Sequence, residues 1–151
     1  MAEAIKLAAK LVAVALLALA LRWGFLLTVM LLGVGPWGRG FALLTSGAMN
    51  TYSAHASTAW FEAAAQAVAY DRFIVWPVAL CVASFAYVRF VTPKAWWHGL
   101  VIAAAPLSDA LGTEYPRSVL PFCLGYAVLT VALCVLLGRI GPSPAGRSAA
   151  T

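Results

Sequence analysis

Two apolar runs constrain this chain more than anything else in it: LVAVALLALALRWGFLLTVMLLGV from Leu11 and SVLPFCLGYAVLTVALCVLLG from Ser118. Each is long enough to cross a hydrocarbon core of about 30 Å, which takes about 20 helical residues. Neither alternates polar and apolar side chains as a transmembrane β-strand does. The composition agrees, with 64% hydrophobic and 10% charged residues among 151, against about a quarter charged in a soluble domain. The expected fold class is therefore an all-α integral membrane protein.

Four spans are expected, at residues 11–34, 73–91, 95–112 and 118–138, forming one transmembrane domain over residues 1–138. The first is a retained span rather than a cleaved signal. Lys6 and Lys10 ahead of an apolar run, with Ala18-Leu19-Ala20 after it, resemble a signal peptide, but the run stays apolar for more than ten positions past Ala20. Between the first two spans, STAWFEAAAQAVAYDR predicts an interfacial amphipathic helix over residues 57–71, with Trp60, Ala64, Ala67 and Val68 on one face and Glu62 and Gln66 on another. The third segment carries Pro106, Ser108 and Asp109 near its far end, so it either crosses or turns back. Residues 139–151, rich in Gly, Pro, Ser and Ala, are expected to be a disordered cytoplasmic tail.

The net charge of +5 comes from ten scattered Lys and Arg, without the clustered basic face that nucleic acid requires. It is better read as topology. Lys6, Lys10, Arg89, Lys94, Arg139 and Arg147 fall on one side of a four-span arrangement, and Arg39, Arg72 and Arg117 on the other. By the positive-inside rule both termini are cytoplasmic, in a cell inner membrane.

Arg22 sits near the middle of the first span, about 16 Å from its start, where an arginine needs a partner or water. Asp109 is the expected partner, as an intramembrane charge pair across helices, with Ser108, Glu114 or a carbonyl freed by Pro106 as other acceptors. Trp37, Trp60, Trp96 and Trp97 read as interfacial anchors. His55 and His98 fall on opposite sides of the membrane and cannot share a metal. No metal and no cofactor is expected; His98 is where a single haem or pigment would bind were one present. Cys81, Cys123 and Cys134 lie in apolar runs as packing residues.

The sequence contains no G-x-S-x-G, H-E-x-x-H or phosphate-loop motif, and no enzyme activity is expected. What these residues suggest is a small non-catalytic subunit that scaffolds or stabilises a larger membrane complex of the respiratory, photosynthetic or secretion type. Its partners would be the lipid bilayer and other integral membrane subunits. The alternative is a small oligomeric transporter or channel that uses Arg22 and Asp109.

Overall fold

A computed structural model describes residues 1–38, 54–111 and 116–140, with backbone alone at 54–60, 64, 109–111, 116–119 and 140. Among the described residues the chain is helical and contains no strand. Its helices are α1 (Ala2–Leu31), α2 (Ala54–Tyr70), α3 (Trp76–Phe90), α4 (His98–Leu111) and α5 (Pro116–Ile140), with a π-helical turn at Asp71–Val75 between α2 and α3. Among the described residues three stretches are long and apolar enough to cross a membrane: Ala2–Leu31, Phe61–Phe90 and Leu120–Arg139. Arg139 and Ile140, expected in a disordered tail, continue α5; the rest of that expectation, residues 141–151, lies outside the described residues.

Helix α1 starts nine residues earlier than hydropathy suggests, because AEAIKLAAK is made almost entirely of good helix formers. Glu3 stands in the first turn, where a negative charge suits the helix dipole. It also pairs with Lys6 at 3.0 Å on the exposed surface. At the other end, Val34 N–H donates to Val29 O and Gly33 N–H to Met30 O, with Gly33 at φ +67°. This is the paired-bond glycine stop that satisfies the last carbonyls of a helix. The expected end at Val34 therefore moves to Leu31.

The larger correction concerns the loop helix and the second span. They were expected as separate elements, but α2 runs through the π-turn into α3 without a break, and the apolar stretch is 30 residues long. The sequence places a water boundary at Asp71-Arg72; the structure instead buries Asp71. Pro77 follows the π-turn and has no N–H to donate, and the last bond before it joins Trp76 N–H to Asp71 O, five residues back. Widened turns of this kind absorb a proline inside a helix. The inward stripe of α2 is Ala63, Ala67 and then Asp71, whereas Val68 is exposed.

The chain divides into two compact units, Met1–Ala18 with Leu80–Thr151, and Leu19–Ala79. In the first unit α4 and α5 pack together, with Cys123, Tyr126, Thr130 and Cys134 forming the buried stripe of α5. Gly99 allows the close approach: a Cβ there would lie 2.7 Å from Val131 Cα and 2.9 Å from Thr130 C. The Thr130 hydroxyl lies 2.9 Å from Gly99 O, a hydrogen bond across the two helices. Helix α4 has 14 residues, or about 21 Å, which is shorter than the span expected over 95–112.

Candidate functional site: a buried ion pair at a π-helical turn

Among the described residues the buried carboxylate and guanidinium, Asp71 and Arg22, both lie in the second unit. Along α1 the buried positions are Leu11, Val14, Ala18, Arg22 and Leu26, the three-and-four spacing of a single helical stripe. Arg22 thus lies on the face that α1 turns inward, and it is 7% exposed. Asp71 accepts from it with both carboxylate oxygens. Arg22 Nε donates at 3.0 Å and Nη2 at 2.8 Å, a two-pronged pair that matches the guanidinium fork to the carboxylate.

Two indoles stand beside the pair. The guanidinium carbon stands 4.6 Å from the Trp23 ring centroid and 5.1 Å from that of Trp76, both within cation–π range. Trp23 is exposed, whereas Trp76 is buried. Phe25 and Tyr70 stack nearby, with ring centroids 6.3 Å apart.

The π-turn explains how one helix offers Arg22 both a carboxylate and an indole. Positions 71 and 76 of a regular α-helix point about 140° apart. Closing the turn with a bond between residues five apart brings Asp71 and Trp76 onto one face. The inserted turn therefore builds the site, and a regular helix would present either residue but not both.

Among the described side chains Arg22 has a partner in Asp71, whereas the sequence points to Asp109. The side chain of Asp109 lies outside the described residues. The missed signal was the four-residue spacing of Ala63, Ala67 and Asp71, which places the acid on the stripe of small residues rather than at a boundary. Ser108 is turned to its own helix, its hydroxyl donating to Ala105 O at 2.7 Å.

In the first unit His98 is buried, and its Nδ1 lies 2.8 Å from the Tyr87 hydroxyl. Tyr87 also accepts from Ala95 N–H at 3.0 Å, and Trp97 meets the imidazole edge-on at 4.1 Å between ring centroids. These bonds tie the end of α3 to the start of α4. Tyr87 was not anticipated, since a lone tyrosine in an apolar run gives no pairing signal. Of the expected anchors, Trp96 and Trp97 are exposed and Trp37 is partly buried; the side chain of Trp60 lies outside the described residues. All three cysteines are free thiols. Among the described residues no three His, Cys, Asp or Glu side chains converge as metal ligands would. No known protein family, curated protein or solved structure matches the chain.

Proposed function

We propose that the chain is a small, non-catalytic integral membrane subunit that works by contact, stabilising a larger membrane complex. The observation that carries this reading is how little the apolar helices bury within the chain itself: 17% of the apolar window of Ala2–Leu31 and 22% of that of Leu120–Arg139. Lipid covers such faces in part. Trp23, however, is exposed near the middle of the apolar run from Leu11 to Val34, whereas tryptophan facing lipid concentrates at the two interfaces. A mid-span indole on an outer face suits a protein neighbour. The buried pair supports the same reading, because Asp71 neutralises Arg22 inside the chain and leaves the outer faces apolar.

The proposed topology keeps four crossings, with both termini cytoplasmic in an inner membrane. Helix α4 is short, but its lead-in extends its reach. The Lys94 side chain lies 3.9 Å from where a Cβ on Gly138 would stand, and Gly99 meets Thr130 and Val131. Residues 94–99 thus run beside the last three turns of α5, and α4 continues antiparallel to it. Single cysteines at Thr92 and Thr113, on either side of α4, should then react with an impermeant maleimide from opposite sides of the membrane. Reaction of both from one side would remove the fourth crossing.

The functional test is purification of the intact chain in mild detergent. Stoichiometric membrane partners are expected to co-migrate. A homo-oligomer that travels alone and moves solute in liposomes would replace this reading with the alternative, a small transporter or channel built on the buried pair.

A further inference from the structure

The segment leading from α3 into α4 is held on two sides. Ala95 N–H donates to the Tyr87 hydroxyl at 3.0 Å, which ties the segment to the last turns of α3. Gly99 fixes its far end against Val131 of α5. From this segment the Lys94 side chain reaches the last turn of α5, its Cδ 3.9 Å from where a Cβ on Gly138 would stand. Arg139 is the next residue on that turn, and it is exposed. Two cations are therefore placed at one end of the first unit, which contains both.

Among the described residues neither cation pairs with a carboxylate, and the chain has only five acids to offer. Glu3 faces Lys6 and Asp71 faces Arg22. Asp109 and Glu114 come at or after the far end of α4, and Glu62 belongs to the second unit. Residues 141–151 contain Arg147 and no acidic side chain, so they add positive charge rather than neutralise it. The depth of the two cations is marked by Trp96 and Trp97, 60% and 45% exposed, because exposed indoles of a membrane protein lie in the headgroup layer. Leu100 of α4 and Leu136 of α5, also exposed, offer an apolar wall to acyl chains. We infer that Lys94 and Arg139 bind an anionic glycerophospholipid through its phosphodiester, as basic sites between membrane helices do. A zwitterionic lipid brings a cation of its own, which these side chains repel. Free phosphate would meet the charges but leave the indoles and leucines uncovered. The site rests on the membrane reading above and is independent of any partner subunit.

The test offers the full chain, in detergent, an equimolar mixture of phosphatidylglycerol and phosphatidylcholine with identical acyl chains. Retained lipid is then counted by native mass spectrometry. Wild type is expected to prefer phosphatidylglycerol about twentyfold, since each cation beside an anionic lipid contributes about fivefold. Lys94→Gln and Arg139→Gln should each lower that preference about fivefold, and Lys94→Arg should keep it. Lys10→Gln, at an exposed cation of α1, should leave it unchanged. Equal retention of the two lipids by wild type overturns the site, as does a loss from Lys10→Gln equal to that from Lys94→Gln, which would mean diffuse surface charge. Release of the retained lipid by millimolar glycerol phosphate would assign the cations to a soluble phosphate and overturn it too. Should a glutamine variant at Lys94 or Arg139 fail to fold, wild type against Lys10→Gln decides. A chain that leaves the membrane in an alkaline wash would instead refute the membrane reading, so the two failures are distinguishable.

Discussion

Replacing Arg22 with leucine is expected to destabilise the protein by about 3–5 kcal/mol, because it strands the buried Asp71 carboxylate without its guanidinium. The measurable consequence is a large drop in the thermal midpoint in detergent. The double variant Arg22→Leu with Asp71→Leu should recover most of that loss, since removing both charges also removes the desolvation each one carries. Arg22→Lys should fall between wild type and Arg22→Leu. A lysine ammonium keeps the charge but cannot reproduce the two bonds that leave Nε and Nη2 for opposite carboxylate oxygens. If Arg22→Leu alone were as stable as wild type, the pair would not be buried as described.

The second large effect is expected at Gly99. Its substitution by alanine places a methyl group against backbone atoms of Val131 and Thr130, at 2.7–2.9 Å. Backbone atoms cannot be trimmed by changing a side chain, so α4 and α5 must separate. Overpacking of this kind costs about 1–3 kcal/mol, and separation also lengthens the bond from the Thr130 hydroxyl to Gly99 O. Gly125→Ala is the internal control, because a Cβ at that position meets nothing within 4 Å. It should be neutral or slightly stabilising, since alanine is the better helix former by about 1 kcal/mol. Equal behaviour of the two variants in a thermal melt would show that the helices do not approach through Gly99.

Much of the helical architecture was legible in the sequence, because apolar run length maps directly onto helix length. The runs from Leu11 and Ser118 located two of the three long apolar helices among the described residues, although α1 begins nine residues before its run and ends three residues short of it. Arg22 was legible as a group requiring an answer, since its solvation cost is a property of the residue and its depth. Which acid answers it was not legible. Asp71 stands beside Arg72, and two adjacent charges read as a water boundary unless one of them is known to be neutralised from another helix. The π-turn was hidden for a related reason: Pro77 marks a loosened turn without fixing its width, and the side chain that Asp71 meets lies on another helix. Gly99 gave no signal either, because close backbone approach depends on the neighbouring helix rather than on local sequence.

The central claim is that the apolar faces left open by this chain are covered by other membrane subunits. The most direct test installs p-benzoylphenylalanine at Leu124 or Val128, which are 71% and 70% exposed on α5, and irradiates intact cells. The account predicts a discrete adduct with a different membrane protein from at least one of these positions, and none from the buried Thr130. Adducts with lipid alone, or only with a second copy of this chain, would contradict it.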